Sequence, residues 1–334
     1  MKYTKTAIIA ISIAVLPSLQ GCSDNENDSP ALPEKPSVVP ELPADNLTET
    51  TVNSDGTTST GADFMPVDDK TFYIDNIRYS IISDSSIEIE GIDYYESSPI
   101  VIPYSKITLN GTTYTVTRLS IDSFRSGFMG ESSMTHCSLP QTISELGDYA
   151  FERCTKLKEI ILPQNITDIP HGCFRYCTSL SKIELPDNIV SIESGAFAHC
   201  TSLTEIKLPS RLKVIGSGAF EGCTSLTYID IPEGTEQIGI ENEPQGAFNG
   251  CHSLRTVTLP STIKSIGEQT FSLCSSLESV TCRAITPPNF HYYAFVSLPR
   301  EEVKLYVPAE AVEAYTKVIA KLYDAKAIKV MPIP

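Results

Sequence analysis

Two sets of residues in this 334-residue chain have types and spacing suited to chemistry. The first is sulfur with imidazole: Cys173-x-x-x-Cys177, with His171 and His199 close in sequence, reads as half a metal site, since thiolate and imidazole are the ligands zinc prefers. The second is a group of Tyr228, Asp230, Thr256 and Thr258, in which an aromatic ring stands among hydroxyls and a carboxylate. Such a group can stack on and hydrogen-bond a sugar or a peptide. Catalytic patterns are missing: there is no G-x-S-x-G, H-E-x-x-H, Gly-rich phosphate loop or C-x-x-C, and the five His residues sit in separate contexts. No catalysis and no cofactor are expected.

The metal reading competes with a packing one, because the cysteines follow a repeat. Phe151, Phe174, Phe197 and Phe220 fall 23 residues apart, Phe248 comes after 28, and Phe271 after 23 more. Three positions behind each Phe stands a Cys: Cys154, Cys177, Cys200, Cys223, Cys251 and Cys274. A Leu and then an Ile or Val follow at three-residue steps, usually closed by Leu-Pro or Ile-Pro, as at Leu185-Pro186 and Ile231-Pro232. Cys137, Cys173 and Cys282 replace the strand Ile, the Ala before Phe and the strand Leu. Nine thiols therefore occupy core positions. Ten cysteines in an exported chain would ordinarily suggest disulfides. Side chains stacked one coil above another point in parallel, which is poor disulfide geometry. Buried, reduced thiols acting as small hydrophobes are expected, and no metal.

A fixed period in this range means stacked units, each too small to bury its own apolar face. Within a unit, Ile160 and Leu162 share one face of a strand while Glu159 and Ile161 point outward, and Ile166 and Ile169 supply a second extended segment. The outward rows read Glu159, Lys182, Glu205, Tyr228, Thr256, Ser279 and Ile161, Glu184, Lys207, Asp230, Thr258, Thr281. At parallel-strand spacing, Glu159-Lys182-Glu205 and Glu184-Lys207-Asp230 are expected to stand as ladders of alternating sign.

The A-F-x-x-C-T-S-L-x-x-I-x-L-P-x-x-I-x-x-I pattern, as in residues 196–215, resembles the BspA-like subclass of leucine-rich repeat proteins, over about residue 71 to the C-terminus. The resemblance implies a mainly β leucine-rich repeat solenoid, with little helix, and surface adhesins or binding proteins of diverse ligands. The insertion Ile240-Glu241-Asn242-Glu243-Pro244 departs from the pattern.

The flanks complete the organisation. Lys2 and Lys5, the apolar Ala7 to Leu16, and Leu19-Gln20-Gly21-Cys22 resemble a bacterial lipoprotein signal over 1–21, with Cys22 the acylated residue. The acidic run after it resembles an export tag of surface-exposed outer-membrane lipoproteins. Residues 22–70, rich in Pro and polar residues, are expected to form an extended tether. Residues 71–118 alternate with period two around Asp75-Asn76 and Asn110-Gly111, the hairpin signals of a β-rich N-terminal cap. The solenoid is placed at 119–282, its first repeat widened between Arg125 and His136. In 283–334, Val303 to Val307 reads as the last strand, and Val312, Tyr315, Ile319 and Leu322 as a capping helix after Pro308.

A net charge of -16 repels phosphate backbones and disfavours nucleic acid as a partner. The expected protein is a lipid-anchored, surface-facing monomer that contacts a host or neighbouring-cell protein. A glycan-capturing lipoprotein and a structural spacer are the alternatives.

Overall fold

The computed structural model describes residues 48–92, 100–121, 134–239, 243, 245–298 and 302–334. The expected signal at 1–21, the expected acylation site Cys22, the first part of the expected tether, most of the widened first repeat and Ile240, Glu241, Asn242 and Pro244 lie outside the described residues.

The chain enters through β1 (Thr48–Val52) and β2 (Phe64–Pro66), which correct the expected tether: its second half is folded. Two hairpins follow. β3 (Thr71–Ile74) and β4 (Ile77–Ile81) turn at Asp75 and Asn76, both with positive φ. After β5 (Ser86–Ile92) and β6 (Ile100–Val101), β7 (Tyr104–Leu109) and β8 (Thr112–Leu119) turn at Asn110 and Gly111, again both positive. Two left-handed residues give the turn whose twist matches the flanking strands, which is why Asn-Gly marks it in sequence. The cap sheet runs β1-β7-β8-β5-β4-β3-β2. Its buried face carries Ile74, Tyr79, Ile87, Ile107 and Val116, and Phe72 stacks on Tyr79 with ring centroids 5.7 Å apart.

The cap grows into the solenoid and is not merely laid on it. β6 pairs in parallel with β9 (His136–Ser138), and β9 with β10 (Glu159–Ile161), so the cap supplies the first front strand. The Leu119 amide at the end of β8 donates to the Glu145 carbonyl and opens the back stack. Back strands then recur at β11 (Asp168–Ile169), β12 (Ser191–Ile192) and β13 (Val214–Ile215). From β14 (Tyr228–Asp230) onward front and back alternate, through β15 (Gln237–Ile238), β16 (Thr256–Leu259), β17 (Ser265–Ile266), β18 (Ser279–Cys282) and β19 (Asn289–Phe290). The back strands form one six-stranded parallel sheet, β11-β12-β13-β15-β17-β19.

Phenylalanine rings run up the interior at the corner of each coil. Phe151, Phe174, Phe197, Phe220, Phe248, Phe271 and Phe295 stack in sequence at 5.3 to 6.0 Å, all buried. Each ring is held in place by backbone: the Phe174 amide donates to the Ala196 carbonyl at 2.8 Å, the Phe197 amide to Ala219 at 2.7 Å, and the Phe220 amide to Ala247 at 2.8 Å. The cysteines form a second column. Sγ of Cys177 donates to the Phe151 carbonyl, Cys200 to Phe174, Cys223 to Phe197, Cys251 to Phe220 and Cys274 to Phe248, at 3.1 to 3.2 Å. All nine cysteines among the described residues are buried and free. Cys137 pairs with Ile160 and Cys282 with Leu259, the strand positions assigned to them by the repeat.

The array closes with β20 (Val303–Val307), α1 (Val312–Ile319) and β21 (Ile328–Pro332). Tyr315 and Ile319 of α1 are buried. The Tyr315 hydroxyl donates to the Ala284 carbonyl at 2.8 Å and lies 3.1 Å from Cys282 Sγ, fastening the helix over the last layer. No helix among the described residues is long and apolar enough to cross a membrane.

Candidate functional site

Because a strand alternates sides, burying Ile229, Val257, Val280 and Leu305 forces the residues on either side of each to face outward. Front strands order as β14-β16-β18-β20-β21, all parallel. Register brings the four sequence-predicted residues together: Tyr228 lies opposite Thr256, and Asp230 opposite Thr258. Tyr228, Asp230 and Thr256 are exposed and Thr258 is half-buried. Tyr228 is 48% exposed, and its hydroxyl donates to Glu205 Oε2 at 3.3 Å. The charge of Glu205, then this hydrogen bond, pushes the phenol above its ordinary value.

The same registers extend the rows past what the sequence reading included. Ser279 lies opposite Lys304, which lies opposite Lys329; Thr281 lies opposite Tyr306, which lies opposite Met331. The face thus runs from carboxylates at Glu205 and Asp230, through hydroxyls, to the ammonium groups of Lys304 and Lys329. Lys329 Nζ sits 3.2 Å from Glu302 Oε1. The alternation in Val303 to Val307 was the signal for this extension, since it turns Lys304 and Tyr306 outward.

The charge ladders need correction. Among the described residues the front strands form two sheets, β10-β9-β6 and the five-stranded one, and the Lys182 and Glu205 segments between them carry no assigned strand. Lys182 Nζ contacts Glu184 Oε1 at 3.0 Å, two residues along its own chain. Its ammonium is pushed up first by Glu184, then by the more distant charges of Glu159 and Glu205. The ladder neighbours act on Lys182 through space, but the ion pair runs along its own chain segment. A cavity of about 90 Å³ opens here beside Glu159, Ile161, Lys182 and Glu184. It is far smaller than the several hundred Å³ of a small-molecule site.

The sulfur and imidazole set is brought to different places. Cys173 and Cys177 are buried, and burial pushes both thiols well up. His171 meets Tyr149 edge-on at 5.1 Å, and His199 stacks on Tyr176 at 4.7 Å. Among the described residues no group of three or more His, Cys, Asp or Glu is placed to hold a metal ion. The His199 imidazole belongs to a surface column that sequence reading missed. Arg153, Tyr176, His199, Gly222, Gly250 and Leu273 all have positive φ at the same corner position. At that position Arg153 lies 5.6 Å from the Tyr176 ring centre and Tyr176 stacks on His199, while the neighbouring Arg175 lies 5.0 Å from the same ring. A Cβ on Gly222 would come within 2.4 Å of His199 Nδ1, so glycine there makes room for the imidazole.

A family profile for the BspA type leucine rich repeat region matches six copies in the chain, over residues 122–242 and 240–307, more than half its length. No curated protein matches. Among solved structures, the chain is similar to the leucine rich repeat protein of T. pallidum, at 23% identity and TM-score 0.45, over 77% of this chain and 97% of that one. A leucine-rich repeat protein from Bacteroides ovatus is 21% identical, with TM-score 0.36, over 78% of this chain and 99% of the other. A leucine rich cell surface protein from Faecalibacterium prausnitzii is 18% identical, with TM-score 0.41, over 80% and 96%.

Proposed function

Because the chain belongs to the BspA-type leucine-rich repeat family, we propose that it is a non-catalytic binding protein, anchored by acyl chains on Cys22 and facing outward from the outer membrane. Its partner is a protein on a host or neighbouring cell. One observation carries this reading: five parallel front strands present Tyr228, Asp230, Thr256, Lys304 and Tyr306 in straight rows over a packed interior. An open row of aromatic, hydroxyl and charged groups matches a macromolecular surface better than a small molecule, which needs a concavity. The leader residues Lys2, Lys5 and Leu19 to Cys22, and the polar stretch after them, support the anchor and its reach.

The test pairs two screens. Pull-down of cell-surface proteins and a glycan array are run with the wild type and with Tyr228→Ala. The reading expects a protein partner whose affinity falls about tenfold or more in the variant, since an exposed Tyr at an interface centre carries a large share of binding. Glycan binding lost in Tyr228→Ala, with no protein captured, would replace the partner with a sugar. Binding to neither would make the molecule a spacer. Protease applied to intact cells that leaves the protein uncut would defeat the outward-facing placement.

A further inference from the structure

Among the described residues, three groups of surface aromatics differ in what already engages them. Tyr228 has its hydroxyl tied to Glu205. Tyr176 has His199 stacked on it and Arg153 and Arg175 beside it, so its faces are occupied. The third group lies where the last coil meets the C-terminal segment, and its rings are among the most exposed of the described aromatics. Tyr292, Tyr293 and Tyr323 are 49%, 39% and 45% exposed. Tyr292 meets Tyr293 at 4.8 Å with an interplanar angle of 76°, and Tyr292 meets Tyr323 at 6.1 Å and 64°. Tyr293 and Tyr323 lie 5.6 Å apart at 55°. All three keep 39% or more of their surface in water, so part of each phenol is free to meet a ligand.

The cluster is built on a fixed frame. The Tyr323 amide donates to the Tyr292 carbonyl at 3.0 Å, and the Ser297 amide to Asp324 Oδ2 at 3.4 Å. Asp324 takes a left-handed conformation that turns the chain away immediately after Tyr323. The residues on either side of Tyr323 help line a cavity of about 650 Å³, bounded by Leu298, Ala320, Leu322, Asp324, Ala325 and Lys326. Tyr323 stands in the chain between two of these lining residues. The volume falls within the range of ligand sites. Its walls combine small apolar side chains with one carboxylate and one ammonium, so the groove itself is close to neutral.

We propose that this end of the solenoid is a carbohydrate-binding site for an uncharged glycan. A pyranose offers an apolar C–H face, which packs on an open aromatic ring, and a rim of hydroxyls, which bond to phenols, a carboxylate and an ammonium. Tyr292, Tyr293 and Tyr323 form the platform, and Asp324 and Lys326 take hydroxyls of the next sugar in the groove. The chain's net charge of -16 repels sulfated or uronate-rich polymers, leaving neutral ones. The site is separate from the front face, so either can fail without the other.

The test is native affinity electrophoresis of the purified full chain in gels carrying a neutral polysaccharide (laminarin, xyloglucan or mannan), with hyaluronan as the anionic control. Retardation by at least one neutral polymer and none by hyaluronan is expected. Tyr292→Ala and Tyr323→Ala should each weaken it roughly three- to tenfold. Tyr323→Phe, which keeps the ring, should weaken it less, and Tyr228→Ala not at all. The chain has no Trp, so Tyr292→Trp installs a single indole that keeps a stacking face. Its emission should shift when the retarding glycan is added. Lack of retardation by all three polymers, equal retardation of the tyrosine variants, or an indole that ignores the glycan would each overturn the site. Light scattering that shows the tyrosine variants converting a dimer to a monomer would assign the cluster to a second copy of this chain instead.

Discussion

Alkaline pH should unfold this protein steeply, and the cause is its sulfur column. A thiol is neutral when protonated, and burial raises the folded-state values above the ordinary 9.0, to about 12 for Cys223 and Cys274 and well up for Cys177, Cys200 and Cys251. A group raised in this way contributes stability that is fully present below its unfolded value, and lost as pH climbs from there toward the folded one. At pH 10 an unfolded thiol is ionised about ten to one, which favours the unfolded state by about 1.4 kcal/mol for each cysteine. Eight of the buried thiols are raised in this way, Cys137, Cys173 and Cys282 being the others, so the loss amounts to about 11 kcal/mol, comparable to the whole stability of an ordinary domain. Buried phenols at Tyr79 and Tyr315, also pushed up by desolvation, act in the same direction. Thermal melts by far-UV circular dichroism, in reductant from pH 7.5 to 11, should show a melting temperature that falls above about pH 8.5. Folding should be lost near pH 10, releasing roughly seven protons from these thiols. The double variant Cys200→Ala, Cys223→Ala should lower that proton count by two. A melting temperature level to pH 10, or rapid alkylation of more than one thiol in the native protein at pH 8, would refute the reasoning.

Two further outcomes follow from local geometry. A Cβ on Gly246 would sit 1.7 Å from the Gln269 carbonyl oxygen, backbone that cannot swing aside as a side chain can; Gly246→Ala should therefore cost about 3 kcal/mol or more, read as a lower urea midpoint, while the surface change Lys264→Ala stays within about 0.5. Tyr315→Phe removes the hydroxyl that bonds Ala284 and contacts Cys282 in a buried site; a loss of about 1 to 2 kcal/mol is expected, with amide exchange accelerated first in α1 and β21.

Most of the fold was legible because repetition multiplies a weak signal. One Phe-x-x-Cys says little, but six at near-constant spacing fix which side chains stack, and the Phe and Cys columns stand where the period puts them. Asn110-Gly111 and the alternation of Val303 to Val307 were legible for local reasons. β1 was not, because Thr48–Val52 lies in polar, Pro-flanked sequence and takes its order from the edge of β7, against which Thr50 and Val52 are buried. The front rows could be written down, but not the point where strand pairing lapses, since Ile183 and Ile206 keep the pattern and stay buried regardless. The tyrosine cluster was hidden for a different reason. Tyr292 and Tyr323 are separated by the whole final coil and helix, and nothing periodic links them.

Four of the five inserted residues at 240–244 lie outside the described structure, yet the rings on either side, Phe220 and Phe248, stay 5.4 Å apart like their neighbours. Polypeptide length and stack height are thus independent variables at that corner. A solenoid with such a joint can take on a foreign epitope, or shed a native one, without renegotiating its interior, and surface variety can accumulate there while the folding problem stays unchanged.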